Sequence, residues 1–231
     1  MQVLIVGGTR GIGAAWAERL HGQGHEVWVA GRQASGPGQI AMDLADPESI
    51  TAGIAQVRQQ APELQQVINT AGVLHWDQGQ PEKSLRQLNP QAALYSYQVN
   101  ALGPALLAQA LWDVMRKTKH FKFASLSARV SSISDNRLGG WHSYRASKAA
   151  QNMMLKNVAL ELGRVNPSAC VALLHPGTVD TDLSKPFQSR VPSDKLFDVQ
   201  RAAAQLDQVL QDFVPADSGV LRDWAGEDIV F

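Results

Sequence analysis

The sequence predicts a single doubly wound α/β domain, spanning residues 1–231, with a mostly parallel sheet and helices on both faces. Three observations predict it. Short β-branched runs alternate with longer helical stretches; 231 residues suit one such domain with a sizeable core; and a glycine-rich turn directly follows the first run. Lys+Arg and Asp+Glu are equal at 21 each, and no basic stripe appears, which argues against nucleic acid as a partner. No apolar run approaches a membrane span. The first run begins at Val3, so no leader is expected ahead of the fold. The single cysteine, Cys170, cannot form an intrachain disulfide, which fits a reducing, cytoplasmic setting.

Strands are expected near residues 3–6, 26–30, 66–69, 121–126 and 169–174, where short apolar runs end at Gly, Pro or polar residues. Helices are expected between them at 12–21, 47–60, 91–116 and 143–164. Asp46-Pro47-Glu48 reads as a helix start, with an N-cap acid, a proline at the first position and an acid in the first turn. The cations Arg116, Lys117 and Lys119 sit at a helix end, where they suit the dipole. Right-handed crossovers place the ligand crevice at the C-terminal strand ends. Residues 182–194 carry Pro186 and Pro192 with little periodicity and read as a flap. A helix over 194–213 and a closing strand pair near 220–221 and 229–230 complete the chain.

Gly7-Gly8-Thr9-Arg10-Gly11-Ile12-Gly13 follows the first strand and opens the first helix. Glycines there let backbone approach a diphosphate, and a helix N-terminus offers free N–H groups and a positive dipole end. The second strand ends Val29-Ala30-Gly31-Arg32, without the acid that prefers a free ribose 2′-hydroxyl. Arg32 and Arg10 instead suit a 2′-phosphate, so NADP(H) is expected over NAD(H). Asp43 is a candidate acceptor for the adenine amine, or a plain turn aspartate. Tyr144 and Lys148 lie four residues apart on one helix, so they share a face. A nearby cation stabilises phenolate and lowers a pKa that is ordinarily ~10, which suits the phenol to acid–base work.

These pieces together resemble the short-chain dehydrogenase/reductase family along nearly the whole chain. The matching motifs are Gly7–Gly13, Asp43-Leu44, Asn69-Thr70-Ala71-Gly72, Asn100 within Val99–Pro104, Tyr144–Lys148 and Pro176–Thr181. Within the family the chain is most similar to the small C-factor and sniffer-like carbonyl reductases, through Gly139–Tyr144 and the short C-terminal half. The resemblance implies a Rossmann-type fold and hydride transfer between NADPH and a carbonyl or secondary alcohol. It implies Tyr144 as general acid/base, and Lys148 as the residue that lowers its pKa and holds the nicotinamide ribose. It implies that Asn100 binds a water linking Lys148 to solvent. Cofactor contacts fall to Gly7, Thr9, Arg10, Gly11, Ile12 and Gly13, to Arg32, Asp43 and Leu44, and to Asn69, Ala71 and Gly72. Pro176, Gly177, Val179 and Thr181 are assigned to the nicotinamide end.

One departure concerns the serine that the family places before the tyrosine to hold the substrate oxygen. Reading along the strand puts Ala128 at that position, with Ser127 just before it. Counting back from Tyr144 points to Ser131 instead. Ser127 is assigned the role, and Ser131 is the alternative. No metal is expected, because the histidines show no H-E-x-x-H spacing, and no Gly-x-Ser-x-Gly elbow marks a hydrolase. The tryptophans read as packing, with Trp76 and Trp141 set apart as candidates for the crevice mouth. The pocket is expected to be lined by residues 74–80 and 183–192. A homodimer or homotetramer through the long helices is open, as is a nucleotide-binding regulatory role with little turnover.

Overall fold

A computed structural model describes residues 1–74 and 80–231. Seven strands form the central sheet, and every neighbouring pair is parallel. In chain order they are β1 (Gln2–Val6), β2 (Glu26–Gly31), β3 (Gln39–Ala41), β4 (Leu64–Asn69), β5 (Lys122–Leu126), β6 (Cys170–His175) and, after a separate pair, β9 (Leu221–Asp223). That pair is β7 (Thr178–Val179) with β8 (Leu196–Phe197). The sheet order β3-β2-β1-β4-β5-β6-β9 reverses direction between β1 and β4. A crevice opens at such a reversal because the crossovers leave on opposite faces.

Side chains alternate along each strand, so each strand feeds two cores. Leu4 and Val6 face Ile50 and Ile54 of α2 (Pro47–Gln60), Leu107 of α4 (Gly103–Ala110) and Leu155 of α6 (His142–Val165). Val3 and Ile5 face Trp16 and Leu20 of α1 (Gly11–Gly22) and Leu206 of α7 (Val199–Asp212). Full burial of each such side chain contributes about 1.5–3 kcal/mol, so both helical layers are held firmly against the sheet. Asp207 on α7 accepts hydrogen bonds from Trp16, Arg19, Gln23 and Gln211, which satisfies its buried carboxylate and ties α7 to α1. At α2 the Asp46 carboxylate caps Glu48 N at 2.9 Å, as the sequence predicts.

Four expectations are corrected. The helix read over 91–116 is interrupted: α3 (Pro90–Tyr97) runs into a π-turn (Gln98–Leu102), then α4, then α5 (Trp112–Lys117). Pro104 has no N–H to return to the Asn100 carbonyl four residues back, and the wider turn absorbs that loss. The final helix starts at Val199, not 194, because Asp198 caps it by accepting from Arg201 N at 2.6 Å. The closing pair is one parallel edge strand, β9, and the return is reduced to a single bridge between Arg222 and Asp228. An additional strand, β3, pairs beside β2. The flap holds a 3₁₀ turn at Lys185–Arg190. No helix among the described residues is long and apolar enough to cross a membrane.

Candidate active site

The glycine turn leaves β1 and packs directly against the end of β4. Gly7 has φ 81°, and a Cβ built on it would lie 2.6 Å from Ala71 N. A Cβ on Gly13 would lie 2.5 Å from the Gly7 carbonyl and from Thr70 Oγ1. Only bare backbone fits this junction. No side chain caps α1 and no acid stands in its first turn, so its N–H groups and dipole face the crevice unopposed. Thr9 sits over Gly31, within 3.0 Å of where a Cβ there would lie, and the exposed Arg32 follows. Arg10 pairs with Asp182 of the flap at 3.7 Å, both side chains largely exposed, and Gly11 faces Thr181. The turn and the segment after β6 therefore meet across the mouth of the crevice.

Two of the expected cofactor residues have structural occupations. Asp43 Oδ1 accepts from Ala45 N at 2.9 Å, which is the turn role. The Leu44 side chain is buried in the α2–α4 core and packs under Gly103. Asn69 donates to Ser125 Oγ at 2.9 Å and accepts from Ala71 N at 3.1 Å, shaping the chain as it leaves β4. The Asn100 amide pairs with both backbone groups of Val73, at 2.8 and 2.7 Å, and donates to Ser147 Oγ at 3.0 Å. A Cβ on Gly72 would lie 3.3 Å from Asn100 Oδ1 and 3.5 Å from Lys148 Nζ, so these three residues share one small space. Gly177, with φ 76°, packs against Phe197 and Trp224, and Val179 is buried beside Phe197.

Tyr144 and Lys148 lie in the first two turns of α6, and both are buried. Lys148 Nζ donates to the Leu126 carbonyl and to Gln151 Oε1, both at 2.8 Å. Gln151 in turn donates to Ser125 Oγ at 2.7 Å. Burial pushes the Tyr144 phenol up to about 12 and the Lys148 ammonium down to about 7. Desolvation disfavours the charged form of each, and in the protein alone it outweighs the expected pull of the ammonium on the phenol. Tyr144 thus holds its proton at neutral pH.

The serine expectation meets a closed network. Ser127 donates its one hydroxyl proton to Asn152 Oδ1 at 2.6 Å. Asn152 Nδ2 donates to Ser131 Oγ at 2.7 Å, and Ser131 donates to the Ala128 carbonyl at 2.6 Å. Both serines are buried and both protons are committed inside the fold. The residue that packs with Tyr144 is Ala128, in an apolar cluster with Leu74 and bordered by Val130, Trp141, Leu183 and Phe187. Trp141 stands edge-on to Tyr144, with ring centroids 6.2 Å apart, and to Phe187 at 5.1 Å. Residues 75–79, including Trp76, lie outside the described residues. Gln151, Asn152 and Glu82 escaped the sequence reading. For the first two a signal existed, since they fall three and four positions after Lys148 on the same helix.

The short chain dehydrogenase family model matches residues 1–192. The 1-hydroxy-2-glutathionyl-2-methyl-3-butene dehydrogenase of Rhodococcus sp. (strain AD45) is 31% identical over 224 residues, covering 94% of this chain and 93% of its own. Among solved structures, the NADPH-bound carbonyl reductase from chicken fatty liver superposes with a TM-score of 0.87 at 23% identity, covering 100% of this chain and 98% of its own. The carbonyl reductase Sniffer of D. melanogaster gives 0.84 at 20% identity, covering 100% and 99%.

Proposed function

The chain belongs to the short-chain dehydrogenase family of oxidoreductases, and from that premise we propose that residues 1–231 form one NADP(H)-binding domain that interconverts a small carbonyl compound and its secondary alcohol. The observation that supports this reading is what gathers on the segment leaving β4, beside the reversal of the sheet order: the glycine turn packs on Thr70 and Ala71, Asn100 and Lys148 crowd Gly72, and Tyr144 packs with Leu74. The residues present fit a dinucleotide. The bare backbone of Gly7 and Gly13 and the open end of α1 suit the pyrophosphate, with Thr9 and Ile12 beside it. Among the described residues, Arg32 is exposed at the end of β2 with no acid paired to it, and Arg10 is held only by a long exposed ion pair, which supports both as contacts for a 2′-phosphate. The chicken enzyme that shares this fold was seen with NADPH bound. Ala71, Gly72, Pro176, Gly177, Val179 and Thr181 would line the nicotinamide half, with Lys148 on its ribose.

Bound NADPH would supply the hydride. The chain supplies the proton and the positioning. Tyr144, kept neutral by burial, donates its phenolic proton to the carbonyl oxygen as negative charge develops there, and recovers it in the reverse direction. A charged Lys148 beside the resulting phenolate stabilises it, and a pKa near 7 lets the amine take up or release a proton at working pH. Asn100 holds the Val73 backbone and Ser147, fixing the space through which water reaches Lys148. Ser127 acts through Asn152, holding Ala128 in place, rather than on the substrate.

The deciding experiment follows NADPH consumption with aldehydes, diketones and quinones, for the unmodified protein and for Tyr144→Phe. Turnover that Tyr144→Phe abolishes, with NADPH affinity kept, is the expected result; retained activity refutes the assignment. A regulatory nucleotide-binding role with little turnover is the alternative, favoured by the two serines that offer no proton to a substrate. Exposed Leu94 on α3 and exposed Met153 and Leu160 on α6 support pairing into a homodimer or homotetramer, which light scattering would read. The buried, unpaired Cys170 supports a cytoplasmic location.

A further inference from the structure

We propose that Glu82 is a positioning residue that fixes Trp141 as a wall of the substrate pocket, and that this wall selects carbonyl compounds bearing a flat apolar group beside the carbonyl. The inference rests on the reading of Tyr144 as the proton donor to a carbonyl.

The approach to α6 is strained. Gly139, Gly140 and Trp141 have φ of 64°, 67° and 50°, three left-handed residues in succession. Glycine adopts this region freely, but an indole-bearing residue does so only when its surroundings over-determine it. Two clamps do so here. The Glu82 carbonyl accepts from Trp141 N at 2.5 Å, and its carboxylate accepts from Ser143 Oγ and, at 3.4 Å, from Ser143 N. From the other side Arg145 donates to the Gly140 and Val130 carbonyls, each at 3.1 Å. Glu82 is only 7% exposed, and a buried carboxylate is tolerated because it sits at the start of α6 with its donors in place.

The clamp has a consequence for the pocket. Trp141 is held edge-on between Tyr144 and Phe187, and the rest of the cluster (Leu74, Ala128, Val130 and Leu183) carries no charge. A carbonyl oxygen at the Tyr144 hydroxyl places the neighbouring substituent against these rings. A flat apolar substituent gains contact there, and a charged one finds no partner among the described residues of the cluster. Glu82 lies 61 positions before Ser143, so the wall depends on a segment remote from the helix it serves.

The test uses a matched pair of substrates, methyl phenyl diketone and dimethyl diketone, which differ only in the ring. Glu82→Ala should raise KM for the phenyl compound by about tenfold, while kcat/KM for the dimethyl compound and NADPH affinity shift by less than about twofold. Trp141→Gly should show the same split without backbone strain, which keeps the test open if Glu82→Ala folds poorly. Glu82→Gln, whose amide oxygen still accepts from Ser143, should retain most of the preference. Equal losses on both diketones would mean general damage and overturn the inference, as would unchanged KM values. If the unmodified protein reduces neither diketone, the catalytic reading fails separately. Calorimetry of methyl phenyl diketone with the unmodified protein, Glu82→Ala and Trp141→Gly then decides the wall alone. Affinity lost in both variants sustains it; equal affinity in all three, or no binding to the unmodified protein, overturns it.

Discussion

Replacing Ser127 by alanine and, separately, Ala128 by serine should have opposite consequences. Ser127→Ala removes the proton that Asn152 Oδ1 receives at 2.6 Å in a site closed to water. A buried acceptor left unsatisfied costs about 1–3 kcal/mol. In a chain of this size each kcal/mol moves the melting midpoint by about 2–4 °C, so a fall of roughly 2–12 °C is expected. Turnover should change by no more than about threefold, because that proton is not offered to the substrate; a lost oxyanion donor would cost a hundredfold or more. Ala128→Ser places a hydroxyl in the cluster beside Tyr144. An added donor whose rotamer is not pre-set should gain about tenfold in kcat, ~1.4 kcal/mol, which is short of the full oxyanion value. The assay is initial-rate NADPH consumption at saturating cofactor, with thermal unfolding on the same samples. A hundredfold loss in Ser127→Ala at an unchanged midpoint would show that Ser127 turns to the substrate and would refute the argument. A folded Ala128→Ser protein no faster than the unmodified one would show that this position does not face the reacting oxygen.

Arg32→Asp should weaken NADPH binding at least tenfold and narrow or reverse the preference over NADH, by calorimetry, since it sets a like charge against the 2′-phosphate. Gly13→Ala puts a methyl 2.5 Å from the Gly7 carbonyl, so dinucleotide binding should be lost while the far-UV dichroism of the sheet and helices persists. Lys148 is held at about 7 against 10.5 for the free side chain, so between those values the unfolded chain binds the extra proton. Stability of the cofactor-free protein should therefore rise from about pH 7 towards 10, and the rise should vanish in Lys148→Met, as read from urea midpoints. Above pH 10 the trend should reverse, because Tyr144 keeps its proton to about 12 while the unfolded tyrosine loses it.

Much of this was legible because it is local. Strand and helix follow from periodicity, and the five residues Tyr144–Lys148 set two side chains on one helix face whatever surrounds them. Asp46-Pro47 marked a helix start because capping is a matter of adjacent residues. The break at Asn100 was less visible. Pro104 announces a missing donor, but whether the chain kinks, ends or widens into a π-turn depends on what packs against it, here Gly103 against the Leu44 carbonyl.

The sequence by itself determined the alternating texture, the glycine turn, the basic end of β2 and the Tyr144–Lys148 pair, because each is written in residues within a turn or two of one another. Only the tertiary structure decided that neither serine has a free proton. Ser127 and Ser131 are both candidate donors by spacing, and both are drawn into the fold by Asn152, a residue of another element that binds each of them. The same holds for Glu82 and Trp141, joined across a gap in sequence that no pattern encodes. It holds too for the pKa values, where burial outweighed the neighbouring charge that the helix spacing implied. Spacing along a helix fixes which side chains are neighbours; only the packed fold fixes how much water they lose and which partners their protons find.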